Sequence, residues 1–451
     1  MSSRRARTIL YLPKSGTQSL PISHGRNGDG DIVYEFVREA KAEDIEELTF
    51  TEEPLGVSAR HGFGYLQVEF GDRIGPDGRY EILRKLGWGG CSSVWLAKDT
   101  KENNFVAIKA LTGYETHRWK RHAQNEDSVI RELSKDKRTS ETYCLTQNDR
   151  FTHPGKEASD GEHICIVTDP LGPSLGDYKR KRMRFTKPLI KKISSDILKG
   201  LTYMHGLRIA HTDLKPENVL MDLGRGSTAF DIDSFIKNEP ARRHHKEKSQ
   251  GGKPVSAAVS QPFPLPSPED CLSRNYVITD FGSAQHVNDK KTNHIMPPDL
   301  RAPEVILGLQ WDEKVDIWAF GCLVFEFVNN QRLIRVDTAA AAFNDKKFGN
   351  HVLYQILAIT RDRLPRNTIE SSESAKEYLD PNTGWLKDQR GRPEVEIMLS
   401  DILKGIGALK KPEDIVGCET LLRKCLRLDR KDRYSARDIL IDKDSWLKSE
   451  T

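Results

Sequence analysis

The hydrophobic pattern changes character near residue 170. Before it, short apolar runs are bounded by turn residues, as strands are. Residues 80–83 and 94–97 read as two strands flanking a glycine-rich turn, Leu86-Gly87-Trp88-Gly89-Gly90-Cys91. Val106-Ala107-Ile108-Lys109 is a third strand and Ile164-Cys165-Ile166-Val167 a fourth. Between them, Val129, Ile130 and Leu133 lie three, four and seven residues after Glu126, which puts them on one helical face. Beyond residue 170 helical periods take over. Residues 189–205 place Ile190, Ile193, Ile197, Leu198 and Leu201 on a buried stripe, and Asp316-Ile317-Trp318-Ala319-Phe320-Gly321 opens another helix. Residues 35–53 are acidic, with Phe36, Ile45 and Leu48 as anchors of a short docking helix. Residues 223–274 carry a Ser/Pro-rich run, and proline can neither continue a helix nor donate to a sheet. That stretch is expected to be a loop or mobile excursion.

Two strings carry chemistry. His211-Thr212-Asp213-Leu214-Lys215-Pro216-Glu217-Asn218 is followed downstream by Asp280-Phe281-Gly282. Transfer of a phosphoryl group to a hydroxyl needs a carboxylate beside the nucleophile and oxygen ligands that hold Mg²⁺ on nucleotide phosphates. Asp213 suits the first role; Asn218 and Asp280 suit the second. A glycine-rich hairpin alone is usually only a turn. Here Lys109 ends the strand that follows it, in the order expected of a phosphate-binding lysine.

On these strings the chain resembles the eukaryotic protein kinases, and more narrowly the SR-protein kinase group. The narrower likeness rests on Gly78-Arg79-Tyr80 running into Arg84-Lys85-Leu86-Gly87-Trp88-Gly89, on Ser93-Val94-Trp95-Leu96, on Thr212 before Asp213, and on the long insert between Asn218 and Asp280. It covers about residues 60–450. The resemblance implies an α+β, bilobal fold: a small lobe with an antiparallel sheet and one helix, and a mainly helical large lobe. Domains are expected at 1–58, a partly disordered extension; 59–172, the small lobe and hinge; and 173–451, the large lobe with a spacer-like insert at 223–274. It implies ATP and Mg²⁺ as cofactors. Lys109 would pair with Glu126, with Glu132 as rival; Asp213 and Lys215 would be catalytic. Leu86, Gly87, Gly89, Val94, Ala107, Lys109, Thr168, Asp169, Leu171 and Leu220 would line the nucleotide site, with Thr168 as gatekeeper. Asp316 would hold the catalytic-loop backbone, and Glu304 would form a buried ion pair with Arg433.

Three departures narrow the expectation. Thr212 stands where many kinases carry the arginine that reads an activation-loop phosphate, and residues 280–304 hold Ser283 and Thr292 but no tyrosine. No requirement for loop phosphorylation follows. Pro297 replaces the threonine that Ser/Thr kinases place against Asp213 and Lys215. The apolar stretch 338–343 replaces the acidic groups that dock Arg-rich substrates. Two readings therefore stand: an active ATP-dependent kinase acting on Ser/Thr hydroxyls of proteins, favoured because Lys109, Asp213, Asn218 and Asp280 are all present, and a catalytically weak kinase-fold module that binds a partner.

Composition changes little. A formal charge of +4 is too small to argue for nucleic acid, and 37% hydrophobic content supplies a core. The seven cysteines are scattered without zinc spacing, as in reduced intracellular proteins, and no apolar run is long enough to span a membrane. The cytoplasm is the expected compartment, with the nucleus a second one if the basic run 241–246 is a signal rather than a solvated stretch. Residues 1–28 are basic without an acid, fitting a disordered tail better than a transit peptide, since Pro13 and Pro21 interrupt any helix. Residues 177–192 hold eight cations against Asp177 alone. That patch is either a solvated face or a site for an acidic or phosphorylated partner.

Overall fold

The computed structural model describes residues 6–13, 20–36 apart from 22, 28 and 30, 45–122, 125–135, 137–226, 229–336, 346–387, 398–405 and 408–448; of residues 122, 125–127 and 405 it describes the backbone only. The chain divides into two compact units. The first gathers residues 1–124, 146–172 and 225–264; the second gathers 125–145, 173–224 and 265–451.

The first unit holds two sheets. Strands β1 (Thr8–Pro13), β2 (Ser23–Arg26), β3 (Ile32–Glu35) and β4 (Ile45–Phe50) form one, in the order β2-β3-β1-β4. β1 runs parallel to β3 and antiparallel to β4. Strands β5 (Arg73–Ile74), β6 (Tyr80–Gly89), β7 (Ser92–Asp99), β8 (Asn104–Leu111), β9 (Gln147–Pro154) and β10 (Glu162–Thr168) form the other, antiparallel, in the order β5-β6-β7-β8-β10-β9. The four sequence-derived strands lie within β6, β7, β8 and β10. β10 is buried from His163 to Thr168, which is why it reads as a continuous apolar run.

The N-terminal segment departs from expectation. Its described parts are neither a disordered tail nor, at residues 45–50, a helix. Leu10 and Leu12 on β1, and Leu48 and Phe50 on β4, point inward at a spacing of two. That is a strand period, and pairing across the sheet overrides the helical spacing of Ile45 and Leu48. These side chains share a core with Leu55, Val57, Phe63 and Tyr65, and with Ala257 from the distant insert.

The insert is likewise ordered, and over residues 225–264 it belongs with the first unit rather than with the large lobe. It contains a helix at Ile232–Asn238 and paired backbone where His244 N–H donates to Ala257 O and Val259 N–H to Arg242 O. Gln261 N–H then donates to Lys85 O on β6 at 2.9 Å. The Pro-rich run 261–266 forms no regular element, as proline's missing donor requires, and is tied to β6 through that bond of Gln261. The basic run 241–246 is folded in as well: Arg243 donates to Ser256 O at 2.6 Å and to Val68 O, and lies over the Phe70 ring.

The second unit is mainly helical. Lys187–Gly206 buries Leu189, Ile190, Ile193, Ile197, Leu198, Leu201 and Met204, the stripe expected from its period. Lys314–Asn329 is buried on every side. Glu304 and Arg433 meet as a bidentate pair at 2.8 and 3.0 Å, both buried. Arg433 also donates to Lys314 O and Arg427 O, so both terminal nitrogens are bonded twice while its buried Nε has no partner. Among the described residues no helix is long and apolar enough to cross a membrane.

Glu304→Ala leaves the Arg433 guanidinium buried without its carboxylate, so it should lower unfolding free energy by about 3–5 kcal/mol. Urea denaturation of the variant against the parent measures this.

Candidate active site

Three site groups of the second unit, Asp213, Lys215 and Asn218, sit on one short loop. Asp316, fully buried near the start of its helix, accepts the N–H groups of His211 at 2.8 Å and Thr212 at 2.9 Å, and meets His205 Nε2 at 3.0 Å. Thr212 is thereby held at φ 63°, a conformation a β-branched residue rarely adopts. His211 Nε2 faces Thr279 O at 2.9 Å, so it carries the proton, and Nδ1 accepts from Asp213 N–H at 3.2 Å. Asp213 Oδ2 receives Lys215 Nζ at 2.7 Å and Asn218 Nδ2 at 3.1 Å; Nδ2 also donates to Asp213 O at 2.9 Å. Asn218 thus spends its amide nitrogen on the loop, leaving the amide oxygen as its ligand end.

Asp280 follows the strand Tyr276–Ile278, which pairs antiparallel with Val219–Met221 beside Asn218. Its φ of 61° starts the turn that buries Phe281, and its carboxylate side is exposed. Leu220 lies on the partner strand and bridges Ser174. Two oxygen donors, Asn218 and Asp280, suit a hard cation that keeps water and phosphate oxygens as its other ligands. Among the described residues no cluster of three metal-binding side chains exists.

A cavity of about 490 Å³ opens beside Asp213 and Lys215, walled by Thr212, Gln285, Thr292, Met296 and Pro297 among others. Much of the segment around it is held by uncharged hydrogen bonds. Thr212 Oγ1 donates to Ser283 O at 2.7 Å. Buried Gln285 accepts from Lys291 N–H at 2.6 Å and Thr292 N–H at 3.1 Å, and donates to Thr292 O at 3.3 Å. Trp311 Nε1 donates to Asn293 Oδ1 at 2.9 Å. Arg301 donates to Met296 O at 3.3 Å; burial pulls its pKa down to about 10, which still leaves it charged at neutral pH. Gln285 was not legible in the sequence, because a lone glutamine carries no signal until its turn is seen.

The remaining candidates lie in the first unit. Leu86, Gly87 and Gly89 are on β6, Val94 on β7, and Ala107 and Lys109 on β8. Val94 pairs in register with Lys109, and Ala107 with Thr168 at the end of β10. One strand face therefore carries Val94 and the lysine together. Thr168 is buried, and Asp169 accepts from Asn148 at 2.8 Å; Leu171 is half-buried. The helix Asn125–Leu133 forms as its period requires, with Val129, Ile130 and Leu133 buried. The side chain of Glu126 lies outside the described residues. Its rival Glu132 meets His286 at 3.2 Å. The apolar stretch 338–343 also lies outside them.

Against known proteins, the protein kinase domain family matches residues 80–237 and 270–447. The chain belongs to that family. Serine/threonine-protein kinase SRPK of Physarum polycephalum is 30% identical over 87% of this chain and 91% of that protein. Serine/threonine-protein kinase AFC3 of Arabidopsis thaliana is 30% identical over 60% of this chain and 59% of that one, so the match spans little more than half of it. A crystal structure of a kinase domain superposes with a TM-score of 0.57 at 22% identity, covering 85% of this chain and 99% of that chain, which establishes the fold. The gap in the family match falls at residues 238–269, inside the insert.

Replacing Gln285 by Ala removes three hydrogen bonds from the turn at Lys290–Thr292. At about 1 kcal/mol each, trypsin cleavage after Lys290 or Lys291 should quicken by roughly ten-fold or more. Mass spectrometry of a digestion time course checks it.

Proposed function

We propose that this chain transfers the γ-phosphoryl group of ATP to Ser/Thr hydroxyls of protein substrates, and does so without phosphorylation of residues 280–304. The observation that carries the reading is the Asp213–Lys215–Asn218 constellation, with Asp213 and Lys215 on the wall of the cavity. Asp213 would align the incoming hydroxyl and take its proton late in transfer; Lys215 would offset charge on the phosphoryl group. Lys109 and the glycine turn would hold the phosphates, with Glu126 the proposed partner of Lys109. Val94, Ala107, Leu171 and Leu220 would meet the base, and Asp169 would offer its carbonyl. Asn218 and Asp280 would hold Mg²⁺, which neutralises phosphate charge when bound.

Independence from phosphorylation is supported by the neutral hydrogen bonds of Thr212 and Gln285, which occupy the role a phosphate and arginine would play elsewhere. The relatives named as serine/threonine-protein kinases support the acceptor class. The cytoplasm remains the expected compartment; the contacts of Arg243 weigh against the run 241–246 as a nuclear signal. Selection of an acidic or phosphorylated partner by residues 179–192 gains little support. Lys179 pairs with Glu326, Arg180 with Asp177, Lys187 with Asp414 and Lys192 with Asp196, so half of the patch is already neutralised.

One observation favours the second reading, a weak kinase-fold module. Pro297 sits in the cavity wall beside Asp213 and Lys215 and has no hydroxyl to give them.

Phosphate transfer to a peptide library decides between the two. Asp213→Ala should cut the rate by roughly 10²–10⁴-fold with Mg·ATP affinity little changed; an unchanged rate would remove Asp213 from the chemistry. Asp280→Asn should weaken Mg·ATP binding by calorimetry, since a charged oxygen ligand is lost. Protein made in a bacterial host and treated with phosphatase should keep its activity, and strict dependence on phosphate at Ser283 or Thr292 would contradict the neutral-clamp reading.

A further inference from the structure

A turn built of glycines cannot hold its own shape. A Cβ added at Gly87, Gly89 or Gly90 would meet nothing within 4 Å, so beyond the β6–β7 ladder no side-chain packing at these three positions steadies the backbone. Its carbonyls are gripped instead. Tyr65 Oη, on a side chain 1% exposed, donates to Gly89 O at 2.8 Å and shares its proton with Gly90 O at 3.1 Å. Thr112 N–H holds the next carbonyl, Cys91 O, at 2.9 Å. A trans peptide points its C=O and N–H in opposite directions. Fixing the carbonyls of Gly89 and Gly90 therefore aims the N–H groups of Gly90 and Cys91 the other way, as a phosphate cradle requires.

The side chain within the turn is anchored too. Trp88 meets Tyr65 edge to face, centroids 6.1 Å apart, and its indole Nε1 donates to Glu52 Oε2 at 2.7 Å. Glu52 is 1% exposed. It also accepts from Lys85 Nζ at 3.2 Å, from Ser260 Oγ at 2.7 Å and, on its other oxygen, from Ser260 N–H at 3.0 Å. A continuous path runs from the insert through Ser260 and Glu52 to Trp88, with Tyr65 beside it. Burial, helped by nearby Glu53, holds the Tyr65 phenol well above its ordinary range, so it stays a donor at neutral pH.

We propose that Tyr65 and Glu52 are positioning residues for the nucleotide phosphates, acting through the backbone of the glycine turn, and that the N-terminal segment and the insert exist in part to supply them. The proposal rests on the kinase reading above. It assigns a catalytic-support role to two stretches, residues 45–65 and 225–264, that otherwise look like additions to the small lobe.

Tyr65→Phe removes one donor at unchanged charge and nearly unchanged volume; Trp88→Phe removes one donor at unchanged charge and, with it, one ring. With Mg·ATP and the best peptide from the library, both should raise the KM for ATP by roughly three- to ten-fold, the size that one hydrogen bond sets. The KM for peptide should stay at the parent value, and the melting temperature should fall by only a few degrees. A purely structural role would instead lower the folded fraction and leave the KM for ATP of the folded molecules unchanged. That result, or parent-like ATP kinetics in both variants, would overturn the proposal. If Tyr65→Phe does not fold, Trp88→Phe decides alone. A parent protein that binds Mg·ATP yet transfers no phosphate would break the kinase reading only. The dissociation constants of Mg·ATP for parent and variants would then still judge the turn, the same rise supporting the proposal and equal values overturning it.

Discussion

The Asp316 carboxylate sits in a site with no exposure, where two backbone N–H groups and an imidazole converge on it. Charge-assisted hydrogen bonds of this kind are about twice as strong as neutral ones. They offset both the desolvation of the carboxylate and the backbone strain of Thr212 at φ 63°. Everything downstream in the loop inherits that geometry. His211 reaches Thr279 and Asp213, Asp213 reaches Lys215 and Asn218, and Asn218 O accepts from Thr279 N–H at 2.9 Å. The loop that carries Asp213 and the strand that leads to Asp280 are thus tied together before any ligand arrives.

A different problem is solved in the first unit. β6 contains two register shifts, between Ile82 and Arg84 and between Lys85 and Gly87. Between the shifts Arg84 and Lys85 stay in register with Leu96 and Trp95, so they face opposite sides of the sheet, and both are fully buried because each face is covered. The partners of these two buried cations come from outside the sheet. Lys85 finds Glu52, Glu53 and Ala258 O; Arg84 lies over Phe235 at 4.3 Å and donates to Glu239 O. Burial pushes the Glu53 carboxyl up against the opposing pull of Lys85. The N-terminal segment and the insert are therefore required companions of this strand, since removing either would strand a buried charge.

Much of the second unit was legible because its signals are local. The period of residues 189–205 places the same side chains inside that the structure buries, and the strings around Asp213 and Asp280 need only their own order to be read. The sheet strands β6, β7, β8 and β10 were equally plain as short apolar runs. The errors fell where structure depends on distant partners. Residues 45–50 offer Ile45 and Leu48 to a helix and Leu48 and Phe50 to a strand, and only β1 beside them decides in favour of the strand. The Pro-rich insert looked unstructured because prolines exclude regular elements, yet it is held by Lys85 O, Glu52 and the aromatic contacts of Phe230, Phe235 and Phe263.

What the sequence by itself determined is the chemistry: which residues can take a proton, hold a hard cation or let a phosphate approach the backbone, all properties of single side chains in a short order. Tertiary structure alone decided how those groups are held. The acids that neutralise residues 179–192 come from as far as Glu326 and Asp414, the clamp of Gln285 closes on a turn six residues away, and the donor for the glycine turn is Tyr65, outside every recognisable motif. The physical reason is range. Residue identity and helical period act over a few positions, whereas desolvation and hydrogen-bond satisfaction are settled only when chain segments far apart in sequence come within 3 Å.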